Sequence, residues 1–290
     1  MNNILKNKVL SFFIVLALIV GILGVASALF DSSNNSSSTS ATSSVGKPSS
    51  GTSSVTTSNG GSNSGNSNNS DASTNVVDFS GLIYSALGDS ITYGADNAKG
   101  YAQMNDPYPE LVSKNLGAQS YKIYGVSGAT VATDVDDLPS ICTQAMNVAL
   151  NSHIISVMGG VNDYNRSVEI GCVDDKSTTT FYGALNYICE ILTSTHSTSF
   201  IFFMTPYKEY PYHSKTCDTP NRKGYTLEDY ANAVKVVCAK YNIPVLDMYN
   251  LGNFELEMYD ANSDGIHPSQ EFVREYTAPQ IAAFIKSNYK

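Results

Sequence analysis

The chain has 290 residues, a formal net charge of −9 and no basic cluster. Nucleic-acid phosphates bind basic surfaces, so the composition excludes a nucleic-acid-binding protein and we expect no nucleic-acid partner. The five cysteines form no CxxC pair, which argues against a metal cluster or a dithiol redox site.

Residues 1–30 have the pattern of a signal peptide or an N-terminal membrane anchor. Two early lysines precede an uncharged, mainly apolar run from Val9 to Phe30. This run is longer than a signal-peptide core of about 7–15 residues and close to the roughly 20 residues that cross a bilayer. Ala26-Ser27-Ala28, however, has the small residues that favour cleavage. Either outcome makes the rest of the chain extracytoplasmic, secreted or tethered to the cell surface, with membrane contact only through this segment.

The next segment, residues 31–75, consists mostly of Ser, Asn, Thr and Gly. It has almost no large apolar side chain, so burial cannot offset the entropic cost of ordering it. We predict a disordered linker that holds the following domain clear of a membrane or cell wall. The remaining residues, 76–290, have the length of one ordinary domain, and we expect a monomer.

Residues 76–290 alternate short apolar runs with amphipathic segments. Continuous apolar runs are typical of parallel strands that helices cover on both faces. The alternation predicts an α/β fold, a single three-layer α/β/α sandwich with a mainly parallel five-stranded sheet. The predicted strands are 82–87, 120–125, 153–159, 199–205 and 243–248, and the predicted helices lie near 108–116, 138–150, 181–192, 227–241 and 270–288.

The helix near 227–241 has the clearest pattern. Its apolar residues recur at intervals of three and four from Leu227 to Tyr241, as on the buried face of an amphipathic helix. Thr226 is placed to cap this helix, and Asp229 occupies the third helical position, where an acidic side chain completes a capping box. These residues predict that the helix begins directly after Thr226.

The five cysteines fall into two groups. Cys142, Cys189 and Cys238 lie on apolar helical faces, where we expect buried thiols. Cys172 and Cys217 lie in loop-like stretches, and an oxidising compartment permits either a disulfide between them or two free thiols. The sequence leaves both alternatives open.

Glycine-rich polar segments follow the first three predicted strands. GDSITYG begins at Gly88, GVSG at Gly125 and GGVND at Gly159, while DGIHP, from Asp264 to Pro268, precedes the last helix. Ligands of parallel sheets bind beyond the carboxyl ends of the strands, so we expect these segments to meet. Each alone is ordinary turn or capping chemistry, but the four in this order are far more specific.

These segments resemble the four blocks of the SGNH hydrolases, which include the GDSL-type esterases and lipases. ALGDSITYG resembles the first block, GVSGATV the second, GGVNDY the third and SDGIHPS the last. The resemblance covers residues 82–290 and implies an SGNH/flavodoxin-like fold and a carboxylic ester hydrolase of the serine esterase type. One departure is Ile123-Tyr124, since an Asn often precedes the glycines of the second block.

The resemblance also implies the site residues. Ser90 would be the nucleophile, with His267 and Asp264 as the other members of a catalytic triad. The oxyanion hole would combine Ser90 with Gly128 and Asn162. The chemistry of these residue types agrees independently. A serine hydroxyl needs an adjacent base, an imidazole can accept and return its proton, a carboxylate fixes the imidazole tautomer, and fixed donors stabilise the oxyanion.

The stretch DANSDGIHPSQE, from Asp260 to Glu271, also matches a calcium-binding loop. Asp264 cannot easily serve both a metal ion and His267. A calcium loop of this kind needs a helix on each side, whereas residues 253–259 offer at most about two turns. A second acidic cluster at 134–137 is typical of a solvated turn. We therefore predict no metal site, and the catalytic chemistry above needs no cofactor.

Two long connections, 164–178 and 206–225, are placed to shape a substrate site. Tyrosines offer flat faces with a polar tip, which suit sugar rings and aryl groups. The candidate substrate contacts are Asp89, Tyr164, Tyr207 and Tyr212. A surface loop packed by its own tyrosines is an equally open alternative.

The sequence thus predicts an exported serine esterase that hydrolyses short-chain acyl esters, with O-acetyl groups on glycans as one candidate. The expected partner is a small acyl ester or an acylated glycan. Two alternatives remain open. One is a non-catalytic cell-surface glycan-binding module on the same fold, and the other is an O-acyltransferase that uses the same triad.

Overall fold

A computed structural model describes residues 77–208, 217–251 and 264–290. The predicted signal or anchor segment and the predicted linker lie outside the described residues, and so does the middle of the tyrosine-rich connection. Among the helices in these three ranges, none combines the length and the apolarity needed to cross a membrane.

Parallel strands form the central sheet. In chain order the strands are β1 Ile83–Gly88, β2 Ala95–Asp96, β3 Ala102–Gln103, β4 Ser120–Gly125, β5 Ile154–Met158, β6 Phe200–Met204 and β7 Val245–Leu246. The sheet has five strands in the order β4-β1-β5-β6-β7, and every pairing is parallel. Strands β2 and β3 form a separate antiparallel hairpin. The predicted α/β class and five-stranded parallel sheet are therefore confirmed.

Helices cover both faces of the sheet. The helices are α1 Ser90–Tyr93, α2 Tyr108–Leu116, α3 Ile141–Gln144, α4 Val161–Arg166, α5 Phe181–Thr195, α6 Leu227–Lys240, α7 Gln270–Phe272 and α8 Ala278–Asn288, with 3-10 turns at Asn97–Lys99, Ala145–Asn147 and Met248–Asn250 and a π-helical turn at Val273–Thr277. Helices α3, α5 and α6 pack in one apolar core, and α2 and α8 pack in the other. Strand β1 contributes Leu87 to the first core and Tyr84 and Ala86 to the second, as expected of a strand between two helical layers.

Capping side chains set where helices begin. The backbone N–H of Asp229 donates to Oγ1 of Thr226 at 3.3 Å, and the carboxylate of Asp229 accepts from the N–H of Thr226 at 2.7 Å. This confirms the predicted capping box at the start of α6. Ser140 caps α3 by accepting from the N–H of Thr143 at 3.1 Å, so that helix begins at Ile141 and is shorter than predicted.

Two prolines explain where the structure departs from the predicted elements. Strand β7 pairs only at Val245–Leu246, because Pro244 has no N–H to extend the ladder. The predicted helix 270–288 is interrupted by the π-helical turn Val273–Thr277. Pro279, near the start of α8, cannot donate to the preceding turn, and the wider π turn accommodates that missing hydrogen bond.

None of the five cysteines, all of which lie in the described residues, forms a disulfide. The three on helical faces are buried, as predicted. The disulfide alternative for Cys172 and Cys217 is wrong in this structure. Cys172 is exposed, and its thiol donates to the carboxylate of Asp175 within the same loop at 3.1 Å, whereas Cys217 is buried against the core.

Candidate active site

Ser90 opens α1 directly after β1. The carboxylate of Asp89 caps this helix by accepting from the N–H of Ile91 at 2.9 Å. A Cβ on Gly88 would lie 2.5 Å from the carbonyl oxygen of Met158 on β5, so a glycine is needed for so close an approach. These contacts hold the serine at the carboxyl end of a central strand.

Ser90, His267 and Asp264 form a hydrogen-bonded chain. Oγ of Ser90 lies 2.8 Å from Nε2 of His267, and Nδ1 of His267 lies 2.7 Å from Oδ2 of Asp264. The backbone N–H groups of Ile266 and His267 both donate to Oδ1 of Asp264 at 3.0 Å. An ionised carboxylate can only accept hydrogen bonds, so Nδ1 carries a proton and Nε2 is the acceptor for the serine hydroxyl.

The surroundings of Asp264 keep its carboxylate ionised. Burial acts to raise the pKa of this side chain, but the hydrogen bonds from the imidazole and the backbone of His267 outweigh burial and lower the pKa to about 2. A carboxylate that stays charged at neutral pH can orient the imidazole and stabilise an imidazolium.

Gly128 lies in the loop after β4, and Asn162 lies in the first turn of α4. The side chain of Asn162 is hydrogen-bonded to Ala129, the residue that follows Gly128. Nδ2 of Asn162 donates to the carbonyl oxygen of Ala129 at 2.9 Å. A carboxamide nitrogen carries two hydrogens, so its second N–H can serve a substrate oxygen. Gly128 has a φ of 78°, a left-handed conformation that favours glycine. Strands β4 and β5 pair with β1 on either side. Gly128 and Asn162 therefore follow the two strands that flank β1, the strand that precedes Ser90.

A buried carboxylate that the sequence analysis did not single out, Asp163, holds the same loop. Its two oxygens accept from the N–H groups of Val131 at 2.8 Å and Ala132 at 3.1 Å. Burial raises the pKa of Asp163 to about 7 against the effect of those hydrogen bonds. Asn162 and Asp163 therefore fix the loop after β4 from adjacent positions. The acid after GGVN was a weak signal, because acidic side chains are common in first helical turns.

Tyr101 is a second residue that the fold adds to the site. It lies in the turn of the β2–β3 hairpin, with its ring centroid 5.4 Å from that of His267 and the two planes at 66°. Half of its surface, 50%, is exposed. The sequence around it, KGYAQ, has only the character of an ordinary turn, so no pattern pointed to this contact.

Three of the four predicted substrate contacts are buried inside the protein. Asp89 is 1% exposed, Tyr164 2% and Tyr207 4%. The carboxylate of Asp89 caps α1, the hydroxyl of Tyr164 donates to a backbone carbonyl at 2.7 Å, and that of Tyr207 donates to Thr277 at 2.8 Å. The polar atoms of these three side chains are hydrogen-bonded within the fold, and their contact with a substrate stays a prediction. Tyr212 lies outside the described residues.

The calcium alternative concerns the carboxylate of Asp264. Asp260 and Asn262 lie outside the described residues. Both oxygens of Asp264 take part in hydrogen bonds, including the one to the imidazole of His267. The acidic cluster at 134–137 is largely exposed. Across the parts of the chain that the structure describes, no three His, Cys, Asp or Glu side chains are grouped so as to hold a metal ion.

Comparisons with known proteins agree with this fold. The sequence matches the GDSL-like Lipase/Acylhydrolase family over residues 86–274, a range that contains both ends of the hydrogen-bonded chain. A comparison with curated proteins finds no match. Similar solved structures include a protein from Lactobacillus plantarum, 25% identical with a TM-score of 0.61, covering 73% of this chain and 99% of that one.

Two further structures share the fold at lower identity. A lipase/acylhydrolase from Enterococcus faecalis is 20% identical with a TM-score of 0.52, over 72% of this chain and 97% of that one. A carbohydrate acetylesterase family member from Sinorhizobium meliloti is 17% identical with a TM-score of 0.54, over 71% of this chain and 98% of that one. At these identities the likeness concerns the fold alone.

Proposed function

The chain belongs to the GDSL-like lipase/acylhydrolase family, and we propose that it is an exported serine esterase that hydrolyses short-chain acyl esters. The observation that carries this proposal is the hydrogen-bonded chain from Ser90 through His267 to Asp264, with distances of 2.8 and 2.7 Å. A serine within hydrogen-bond reach of a base that a third group orients has the arrangement of an activated nucleophile.

The first half-reaction transfers the acyl group to Ser90. Its Oγ attacks the carbonyl carbon of the ester while Nε2 of His267 takes the hydroxyl proton. The C–O bond to the alcohol then breaks, and His267 returns the proton to the alcohol oxygen. The carboxylate of Asp264 stabilises the imidazolium that exists between these two proton transfers.

The second half-reaction releases the acid. Water attacks the acyl carbon with His267 again as the base, the bond to Oγ breaks, and Ser90 regains its proton. In both halves the oxyanion is stabilised by the N–H groups of Ser90 and Gly128 and by the amide of Asn162. Each such donor typically contributes about 2.7–4 kcal/mol to the transition state.

The proposed location and substrate follow from the N-terminal sequence. The apolar segment that ends at Phe30 and the Ser/Asn-rich stretch 31–75 support a location outside the cytoplasm, secreted or held at the cell surface. The esters within reach there are those of extracellular molecules, and we include O-acetyl groups on glycans among the candidate substrates.

An ester panel tests the proposal. The purified protein is expected to hydrolyse p-nitrophenyl acetate faster than long-chain p-nitrophenyl esters. Ser90→Ala should lower kcat at least about a thousandfold, because alanine has no hydroxyl to carry the acyl intermediate. Ser287→Ala, an exposed serine in α8, is the matched control and should retain full turnover.

Two results would contradict the proposal. Turnover in Ser90→Ala equal to that of the unaltered protein would show that Ser90 is not the nucleophile. Glycan binding by the unaltered protein without any ester turnover would instead favour the non-catalytic binding module.

A further inference from the structure

Tyr101 places a half-exposed aromatic ring against the histidine of the proposed triad. The ring centroids of Tyr101 and His267 are 5.4 Å apart with an interplanar angle of 66°, and 50% of Tyr101 is exposed. Tyr164 and Tyr207, the two described tyrosines that were predicted to contact substrate, are almost fully buried. Half of Tyr101 is therefore accessible to solvent beside the proposed catalytic base.

The backbone that presents this ring is strained. Tyr101 has a φ of 66°, a conformation that costs a side-chain-bearing residue free energy. Its N–H donates to the carbonyl of Asp96 at 2.8 Å, and the hairpin is fastened to the end of α1 where Gln103 donates to the carbonyl of Tyr93 at 2.8 Å. Backbone strain held in place by surrounding contacts is characteristic of functional positions.

The contact of Tyr101 with His267 bears on the alcohol half of the ester. In the proposed reaction Nε2 of His267 returns a proton to the alcohol oxygen, so the alcohol half of the substrate lies on the histidine side of the scissile bond. The ring of Tyr101 contacts the same imidazole. An aromatic face with a polar tip suits the flat C–H face of a sugar ring or an aryl group.

We propose that Tyr101 is a specificity-determining residue whose ring packs against the alcohol half of the substrate and favours ring-bearing alcohols over small alkyl alcohols. This inference rests on the proposed function. It deepens that function by assigning the alcohol, rather than the acyl group, to a particular side chain. The contact lasts only until the alcohol leaves, so it affects formation of the acyl-enzyme and not its hydrolysis.

The test compares acetate esters that differ only in their alcohol. For Tyr101→Gly we expect kcat/KM for phenyl acetate and for an acetylated glucopyranoside to fall about two- to tenfold, the range of aromatic contact strengths. The value for ethyl acetate should not change. The rate at which the acetyl-enzyme is hydrolysed, measured after a burst, should also stay the same, and Tyr101→Phe should behave like the unaltered protein.

The choice of glycine separates this effect from misfolding. Glycine adopts a φ of 66° without strain, so the backbone of the hairpin is kept in Tyr101→Gly, and thermal unfolding checks that the variant is folded. Tyr101→Ala, which lacks the ring but keeps the strain, provides a second variant with the same expected selectivity. Tyr121→Ala is the matched control, because Tyr121 is also exposed, at 37%, but lies on the edge strand β4.

Four outcomes would overturn the inference. Equal losses for phenyl and ethyl acetate would assign Tyr101 a structural role, and no loss for either would remove it from the site. A slower hydrolysis of the acetyl-enzyme would mean that the ring acts through His267 instead of through the alcohol. An unaltered protein without any esterase activity would refute the proposed function itself, and the inference with it.

Discussion

At the scale of single residues, three buried aspartates near the site differ in pKa because their surroundings differ. Burial raises the pKa of Asp89 to about 6 and that of Asp163 to about 7, despite hydrogen bonds from backbone N–H groups. Asp264 is less deeply buried, and the hydrogen bonds from His267 outweigh its burial and lower its pKa to about 2. Of the three, Asp264 is the one hydrogen-bonded to the imidazole, so this carboxylate is suited to orient it.

Replacing Asp163 should loosen the loop that carries Gly128. In Asp163→Asn the amide oxygen can accept from only one of the two N–H groups, those of Val131 and Ala132, while the new NH2 faces the other. A buried donor without an acceptor costs about 1–3 kcal/mol, so we expect a lower melting temperature and a lower kcat. Asp174→Asn is the control, because its side chain is 82% exposed.

The difference in stability between the unaltered protein and Asp163→Asn should depend on pH. With its pKa raised to about 7, folded Asp163 keeps its proton where an unfolded aspartate, with a pKa of 3.8, has lost it. The stability from this group is fully present below about pH 4 and is lost as pH rises through about 7. The excess stability of the unaltered protein over Asp163→Asn should therefore shrink as pH rises from about 4 through about 7. A gap that widens with pH would contradict the raised pKa.

At the scale of secondary-structure elements, the contact between α1 and β4 fixes the position of the nucleophile. Gly125 ends β4, and a Cβ there would lie 2.2 Å from the backbone nitrogen of Tyr93 in α1. Side chains do not fit at such distances, so the helix can lie this close to the strand only because residue 125 is a glycine.

Gly125→Ala should therefore push α1 away from the sheet. We expect a loss of about 1–3 kcal/mol in the free energy of unfolding, as for other overpacked sites, and a lower kcat because Ser90 moves relative to His267. Denaturant unfolding and ester hydrolysis measure the two effects. The control is Gly81→Ala, since no atom lies within 4 Å of a Cβ at that position. Equal stability of the two variants would show that the close approach is not needed.

The sequence predicts elements well where a repeating pattern exists. Strand β4 and helix α2 have the predicted bounds, and a glycine marks the end of each, Gly125 in β4 and Gly117 after α2. The β2–β3 hairpin was not predicted, since strands of two residues are too short to show alternation. Tyr101 could not be placed for that reason, because only the hairpin brings it over His267.

At the scale of the whole described domain, the strand order assembles the site. The chain leaves β1, pairs β4 on one side and then returns to pair β5 on the other, so the loops after all three strands meet at a topological switch point. The alternation of strands and helices was enough to predict this meeting. The partner of Ser90, however, is 177 residues away, and only the family resemblance identified His267 in advance.

The sequence did not predict which individual side chains are buried. A tyrosine suits both a substrate site and a core, and Tyr164 and Tyr207 pack in the interior with their hydroxyls satisfied. Which face of a loop points inward depends on the path of the whole connection, and no local pattern records that path.

Covalent labelling tests whether His267 activates Ser90 as a nucleophile. Diisopropyl fluorophosphate transfers its phosphoryl group to an activated serine with loss of fluoride, and mass spectrometry of the peptides locates the adduct. We expect one adduct, on Ser90, formed in step with loss of esterase activity and absent in His267→Ala, whose folding is checked by thermal unfolding. An adduct on another residue, or labelling of His267→Ala at the rate of the unaltered protein, would contradict the account.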